Sequence, residues 1–173
     1  MPETTTPLVG IVMGSDSDWP KIKAVAAALD DFGVMHEIRV MSAHRTPELV
    51  QQYATTAAER GLRVIIAAAG GAAHLAGVVA SHTTLPVIGI PVATELSGGL
   101  DSLLSVVQMP GDVPVATVGV GGGGPRNAGL LAVQILALGK VDLQNKLADF
   151  KSKLTEKVSA KNESLQKTLH KRT

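Results

Sequence analysis

The sequence contains no cysteine and very few aromatic side chains. Its 173 residues include one Trp, one Tyr and two Phe. The absence of Cys excludes disulfides, thiolate metal sites, iron–sulfur clusters and a cysteine nucleophile. Because aromatic residues are only 2% of a chain that is 45% hydrophobic, the core must be built from Ala, Val, Ile and Leu. Small and β-branched residues of this kind suit helices that pack closely on a parallel sheet.

The chain also lacks the apolar segments that direct proteins into or across membranes. Residues 1–7, MPETTTP, have no basic region leading into an apolar one, so they are not typical of a signal peptide and we expect a flexible N-terminus. No apolar run free of turn signals reaches the length that spans a bilayer, and we expect no membrane contact. A cytoplasmic location fits these features, although a lack of Cys is also compatible with secretion.

Positive charge is concentrated at the C-terminal end. The net charge is +1, but the part from Lys140 onward holds nine Lys and Arg against four Asp and Glu. A basic tail can indicate nucleic-acid binding. Here the charges are interspersed with an apolar stripe, which favours a solvated helix face, and we expect no nucleic-acid partner.

Apolar runs that indicate strands alternate with helical patterns. The predicted strands are residues 8–13, 35–41, 63–69, 85–92 and 113–120. The first helix is predicted over residues 21–32 and closed by Gly33, and the second begins with Thr46 as N-cap and Pro47 at the first helical position. Continuous apolar strands joined by right-handed crossovers predict an α/β protein, a three-layer α/β/α sandwich around a central parallel five-stranded sheet.

This pattern predicts a single α/β/α catalytic domain over residues 8–139 and a C-terminal helical extension over residues 140–173. Apolar residues recur in the extension at mostly three- and four-residue steps, at Leu143, Leu147, Phe150, Leu154, Val158, Leu165 and Leu169. A stripe of this length beyond a complete α/β unit packs either on the same domain or on a neighbouring subunit, and we favour the subunit. The final residues are expected to fray.

Polar and glycine residues follow the predicted strands at their carboxyl ends. In an open parallel sheet, ligands bind at this edge, where helix N-termini present free N–H groups to anions. The residues in question are Gly14 to Trp19, then Ser42, His44 and Arg45, then Gly70, Gly71 and His74, then Thr94 and Ser97 to Gly99, and finally Gly121 to Gly124, Arg126 and Asn127. This convergence predicts a site for a small, phosphorylated, polyhydroxylated ligand.

The side chains suggest different roles at that edge. One of Ser15, Ser17 and Asp18 is expected to cap the first helix. Ser15 also suits a phosphate, whereas the carboxylate of Asp18 would repel a phosphate and suits ribose hydroxyls. His44, just before a helix N-terminus, can take or give a proton, and the adjacent Arg45 offers a fork for a phosphate or carboxylate.

The other histidines and the glycine-rich run at residues 119–124 give weaker evidence of function. His74 follows two glycines and two alanines, where backbone can approach a ligand, whereas His36 and His82 are expected to be structural. The run GVGGGG at residues 119–124 matches G-x-G-x-x-G, but no later strand supplies the acidic residue of a dinucleotide site. There is no Walker motif, and no side chains have metal-ligand spacing. We therefore expect neither a metal nor a cofactor.

Several motifs, in order, resemble those of a known family. MGSDSDW, SAHRTPE, AGGAAHLAG, LPVIGIPV, GLDSLLSVVQMP and NAGLLAVQIL resemble class I N5-carboxyaminoimidazole ribonucleotide mutase, in some nomenclature the phosphoribosylaminoimidazole carboxylase catalytic subunit, over about residues 8–150. The resemblance implies a flavodoxin-like domain that forms a homo-octamer with sites where subunits meet. It also implies a purine-biosynthesis reaction that moves a carboxylate from the exocyclic nitrogen to the ring carbon of an aminoimidazole ribonucleotide, with no metal, ATP or organic cofactor.

The resemblance also assigns roles to residues that match the motifs. It makes His44 the catalytic general acid/base. It makes Gly70 and Gly71, with His74, the border of the base and of transient carbon dioxide. The substrate-binding residues that it implies are Ser15, Asp18, Ser42, Arg45, Gly70, Gly71 and His74.

The chain departs from the family pattern at a few positions. Ala76 and Val78 stand where members often have Pro and Met, and GVGGGGPRNAG is richer in Gly and Arg than the common IGNAGATNAG. Class II relatives, which carboxylate the unsubstituted aminoimidazole directly, tend to carry Lys and Gly-Pro where this chain has Arg45 and Thr46-Pro47. The sequence therefore favours class I over a class II-like carboxylase. The intact His44 argues against a third reading, a non-catalytic ribonucleotide-binding protein.

Overall fold

The computed structural model describes residues 6–170, which contain a parallel sheet of five strands. The strands are β1 (Val9–Met13), β2 (His36–Val40), β3 (Val64–Gly70), β4 (Val87–Val92) and β5 (Ala116–Thr117). All pairs are parallel and the order is β2-β1-β3-β4-β5. This is the strand order of a flavodoxin-like doubly wound fold, so the predicted fold class is confirmed.

The central strands form the middle layer of the core. Every residue of β1 and β4 is buried, as are the first five residues of β3. Their apolar runs therefore have the expected cause, burial on both faces of a parallel sheet. The edge strand β2 differs from that expectation, because its five residues are half-buried or exposed. A strand with a neighbour on one side only is less completely covered.

Helices cover both faces of the sheet. They are α1 (Trp19–Ile22), α2 (Ala24–Asp31), α3 (Pro47–Thr56), α4 (Leu75–Ser81), α5 (Leu100–Val107) and α6 (Gly124–Ala137). A seventh helix, α7 (Val141–His170), follows them in the chain. Side chains of α3, α4 and α5, such as Val50, Leu75 and Val106, share one buried cluster with β3. Elsewhere α6 meets α2 so closely that a Cβ on Gly129 would lie 2.7 Å from the Cβ of Ala28. These packings give the expected layers.

Two elements differ in extent from the sequence prediction. The helix predicted over residues 21–32 forms as α1 and α2, preceded by a 3-10 turn at Asp16–Asp18. Lys23 between them still donates its N–H to the carbonyl of Trp19 at 2.9 Å, and the Ala27 N–H reaches the Lys23 carbonyl at 3.3 Å, so α-helical bonding continues across the interruption. The strand predicted over residues 113–120 forms only as β5, with two residue pairs to β4. The nearby Pro114 has no N–H to extend the ladder.

The chain divides into two compact units, one that ends at Ile135 and one that begins at Leu136. In the second unit the 30-residue α7 covers most of the predicted helical extension, with Leu143 buried and Leu154, Val158, Leu165 and Leu169 exposed. Among residues 6–170, no helix is both long enough and apolar enough to cross a membrane. The predicted flexibility of the N-terminus falls mostly, and the fraying of the final residues entirely, outside the described residues.

Candidate active site

A pocket of about 370 Å³ lies at the carboxyl ends of the first four strands. Residues that the sequence places at this edge line much of the pocket; they are Gly14, Ser15, Asp18, Ser42, His44, Arg45, Gly70, Gly71 and Thr94. Residues 97–99, also expected there, do not line the pocket. His74 does not line it but contacts His44. The residues that follow β5 are not part of its wall, and Arg126 instead binds Asp31 at 2.9 Å.

The loop after β1 is folded around Ser15. Its hydroxyl accepts the N–H of Ser17 at 3.3 Å and lies 2.8 Å from the Ser17 hydroxyl, so Ser15 caps the 3-10 turn. Asp16 is exposed, as expected. Asp18 faces the pocket, and its burial raises the pKa of the carboxyl above the ordinary 3.8 even though the nearby Lys21 acts in the opposite direction.

The loop after β2 is organised by Ser42. The Ser42 hydroxyl accepts the backbone N–H groups of Arg45 at 3.1 Å and His44 at 3.3 Å. The Arg45 guanidinium reaches across the pocket edge and donates to the carbonyl of Gly14 at 3.1 Å. These bonds tie the loop to β1 and leave further guanidinium N–H groups for an anion.

Thr46 and Pro47 begin α3 at the predicted positions. Pro47 occupies the first helical position and Thr46 the N-cap position. The Thr46 hydroxyl does not cap the helix. It accepts the Ser42 N–H at 2.9 Å and lies 3.2 Å from the Ser42 carbonyl, to which it donates. The predicted N-cap position is therefore confirmed, but the Thr46 hydroxyl is used within the loop, by Ser42, and makes no capping bond to the helix.

His44 and His74 form a pair beside the pocket. Nε2 of His44 lies 2.9 Å from Nδ1 of His74, with the rings 83° apart. A hydrogen bond between two imidazole nitrogens needs one donor and one acceptor, so the two facing nitrogens share a single proton. His74 therefore fixes the orientation of the His44 ring and can exchange a proton with it.

The loop after β3 turns at Gly71, which has a φ of +67°. This left-handed conformation is readily adopted only by Gly. The Gly71 N–H donates to the Ser102 hydroxyl at 2.9 Å, and its carbonyl accepts the Ala73 N–H at 2.8 Å. A ligand could therefore use the Gly71 N–H only by displacing Ser102.

Sequence reasoning missed Lys21, which also lines the pocket. Its ammonium donates to the carbonyl of Ala93, at the end of β4, at 2.9 Å. The available signal was spacing, since Lys21 follows Asp18 by three residues and such residues share one face of a helix. Conversely, the unusual Ala76 and Val78 lie in α4 and do not line the pocket.

The pocket combines a guanidinium, an ammonium, hydroxyls and a carboxylate with an imidazole at its edge. Such a set can bind an anionic, hydroxylated ligand and move a proton on it. Over the described residues 6–170, no three His, Asp or Glu side chains lie close enough together to hold a metal ion.

Comparisons with known proteins agree on one family. The AIR carboxylase family model matches residues 8–157. An N5-carboxyaminoimidazole ribonucleotide mutase from Mycobacterium tuberculosis H37Rv is 55% identical over 99% of this chain and 98% of its own. The Bacillus subtilis protein of the same name is 59% identical over 82% of this chain and 87% of its own. A crystal structure of Treponema denticola PurE matches with a TM-score of 0.82 at 30% identity, over 92% of this chain and 98% of that one.

Proposed function

Because this chain belongs to the AIR carboxylase family, we propose that its pocket binds an aminoimidazole ribonucleotide and moves a carboxylate group on it. The family resemblance seen in the sequence is confirmed, and the chain is an enzyme of purine biosynthesis with N5-carboxyaminoimidazole ribonucleotide mutase activity. Its product is 4-carboxy-5-aminoimidazole ribonucleotide. The observation that carries the assignment of the site is that His44 meets Ser15, Asp18 and Arg45 at one pocket.

Charge decides how the substrate lies in the pocket. The phosphate belongs with Ser15 and with the free N–H groups of Arg45, because a charge-assisted fork is the strongest anion contact available there. Asp18 then accepts hydrogen bonds from the ribose hydroxyls. Ser42 supports this arrangement by holding the Arg45 backbone. The base is left beside His44 and the loop of Gly70 and Gly71.

His44 carries one proton through both halves of the reaction. The protonated imidazole gives its proton to the exocyclic nitrogen, the N–C bond to the carboxylate breaks, and its electron pair returns to nitrogen as carbon dioxide leaves. The ring carbon then attacks the carbon dioxide, and a new C–C bond forms. His44 removes the hydrogen of that ring carbon as a proton, which restores the ring and the imidazolium. The proton count balances with this side chain alone.

His74 supports this cycle through the shared proton. Because Nε2 of His44 lies 2.9 Å from Nδ1 of His74, a change of protonation on one ring is felt by the other. The pair keeps the ring of His44 in one orientation while it gives and regains the proton.

The enzyme is proposed to work as a homo-oligomer, an octamer by family resemblance, in the cytoplasm, where phosphorylated nucleotide precursors are made. Large apolar side chains lie exposed on and beside β2, namely Met35, Ile38, Val40 and Leu49. Within the second unit, α7 exposes a further stripe at Leu154, Val158, Leu165 and Leu169. Contiguous exposed apolar groups mark interaction surfaces. Native mass spectrometry tests the assembly, and a monomer at micromolar concentration would refute it.

A paired assay without ATP or added metal tests the reaction. One sample receives freshly made N5-carboxyaminoimidazole ribonucleotide, and the other receives aminoimidazole ribonucleotide with bicarbonate. We expect rapid formation of the carbon-carboxylated product in the first sample only. Efficient turnover in the second at modest bicarbonate indicates a class II-like carboxylase. Inactivity of folded protein in both indicates a ribonucleotide-binding protein without this activity.

A further inference from the structure

Ser102 is a buried hydroxyl for which the reaction just described has no use. Among residues 6–170 it is the polar side chain that is completely enclosed, with 0% exposure. It lies in the first turn of α5, donates to the carbonyl of Val92 at 2.7 Å and accepts the N–H of Gly71 at 2.9 Å. One hydroxyl therefore connects the end of β4 to the turn that follows β3.

A second hydroxyl of α5 holds the carbonyl group of the same residue, Gly71. The Ser105 hydroxyl lies 2.8 Å from the Asp101 carbonyl and 3.2 Å from the Gly71 carbonyl, and its single hydrogen is shared between them. Asp101 fixes the start of α5 in turn, since its carboxylate accepts the Thr94 hydroxyl at 2.6 Å and the Ser102 N–H at 2.8 Å. Gly71 is thus held at its N–H and its C=O from behind the pocket.

This arrangement decides which groups the wall offers to a ligand. The pocket is lined here by Ala69, Gly70, Gly71 and Ala72. Their side chains are methyl groups or hydrogen atoms, and the Gly71 N–H is committed to Ser102. A wall of this kind offers few hydrogen bonds to a carboxylate, but it suits a small uncharged molecule that must stay briefly and react again.

We propose that Ser102 is a positioning residue that retains carbon dioxide between the two halves of the reaction. By fixing Gly71 it keeps the wall close to the ring carbon, so that carbon dioxide released from nitrogen stays where the ring carbon can attack it and does not escape. Retention of this kind replaces a bimolecular step by a nearly intramolecular one. The proposal rests on the proposed mutase function and adds to it a residue that touches neither substrate nor His44.

The test follows the carbon atom of the substrate's N-carboxylate as well as the rate of turnover. The substrate carries an isotopic label in its N-carboxylate, and the buffer contains unlabelled bicarbonate with carbonic anhydrase. Label retained in the product and aminoimidazole ribonucleotide released per turnover are measured together. In the Ser102→Ala variant we expect the escaped fraction to rise about fivefold or more and kcat to fall about tenfold, with KM within about twofold. Ser102→Cys, which keeps a weak donor and acceptor, should recover part of the retention.

A matched control separates retention from general loosening of the fold. Thr117→Val, in β5, removes a half-buried hydroxyl. This hydroxyl lies 3.4 Å from the carbonyl of Val106 in α5, the helix that also carries Ser102, and it does not contact Gly71. It should lower stability without raising escape. Ser105→Ala provides an independent test if Ser102→Ala does not fold, because it removes the bond to the Gly71 carbonyl, together with the bond to the Asp101 carbonyl within α5, and leaves the Ser102 hydroxyl in place.

The outcomes distinguish this proposal from the one on which it depends. If the wild-type enzyme does not convert the labelled substrate, the mutase function itself is refuted. If the wild type converts it with retention and the folded Ser102→Ala and Ser105→Ala variants retain label equally well, Ser102 is only structural and the positioning role is overturned.

Discussion

The loop after β2 and the loop after β3 meet at the pair of His44 and His74, yet they are built in opposite ways. The first, Ser42–Thr46, presents charged and polar side chains and is held by hydroxyls from within its own five residues. The second, residues 70–74, presents mainly glycines and methyl groups. Its turn is held by hydroxyls that lie 31 and 34 residues further along the chain.

The difference separates two demands of the proposed mechanism. Proton transfer and anion binding need particular functional groups, and a short loop that carries both the groups and their supports can supply them. Retention of carbon dioxide needs a shaped wall, and a wall without functional groups must be held from outside. Changes in the first loop should therefore abolish chemistry or binding, whereas changes in the second should reduce efficiency and let carbon escape.

The largest expected effect comes from removing the proposed acid/base group of the first loop, His44. His44→Asn should lower kcat by about 10³-fold, because a positioned general acid/base contributes 10²- to 10⁴-fold. The thermal midpoint should hardly change, because His44 is exposed. Steady-state rates and thermal denaturation measure both. The control is His36→Asn, in the edge strand β2, which should keep its activity. Undiminished turnover in His44→Asn would refute the acid/base role.

The second-largest effect is expected from a substitution of Arg45. It tests whether the guanidinium binds the phosphate through two parallel N–H groups. Arg45→Lys keeps the charge but loses the paired N–H groups, so KM should rise about 10- to 100-fold, with a smaller change in kcat. Arg63→Lys is the matched control, because Arg63 also donates to a backbone carbonyl, that of Leu62 at 2.9 Å, but precedes β3 at the opposite end of the sheet. An equal KM in both variants contradicts the assignment.

The strands of the sheet also differ in how well the sequence could predict them. The strands β1, β3 and β4 were predictable because burial on both faces makes their apolar runs continuous. The end strand β5 was predicted too long, since apolar residues around Pro114 resemble a strand while the backbone forms only two ladder pairs. Periodicity reports burial, and it does not report which N–H groups find partners.

The first loop of the site was predictable and the support of the second was not. Residues 42–46 carry both the groups proposed to act on the substrate and the hydroxyls that hold them, in consecutive positions, so a short motif contains the information. Ser102 acts on Gly71 over a distance of 31 residues, and nothing local in the sequence distinguishes its hydroxyl from that of a serine exposed on a helix. The bond of Lys21 to Ala93, 72 residues away, is hidden for the same reason.

A third experiment changes the second loop directly. Gly71→Ala should strain the turn by about 1 to 2 kcal/mol, because the φ of +67° is unfavourable for Ala. Space is not the cause, since the nearest atom to the added Cβ would be Asp101 Oδ2 at 3.9 Å. We expect kcat to fall about tenfold with little change in KM, as the wall shifts. Gly33→Ala, with a φ of +68° at the end of α2, should cost similar stability but leave kcat unchanged.

The smallest expected effect concerns Asp101, which supports the second loop through α5, and it depends on pH. The hydrogen bond from the Thr94 hydroxyl, aided by the Ser102 N–H and opposed by partial burial, lowers the pKa of Asp101 below 3.8. Ionised Asp101 therefore stabilises the fold above that pH, and the contribution is lost as the pH falls through the lowered pKa. Thr94→Val should reduce the thermal midpoint by about 2 to 4 °C at neutral pH. Because protonated Asp101 gains little from Thr94, this difference should shrink in acid. Thr55→Val is the control, because the Thr55 hydroxyl bonds backbone carbonyls of its own helix. Its difference in thermal midpoint from the wild type should not depend on pH. The same behaviour in Thr94→Val would exclude a role for Asp101.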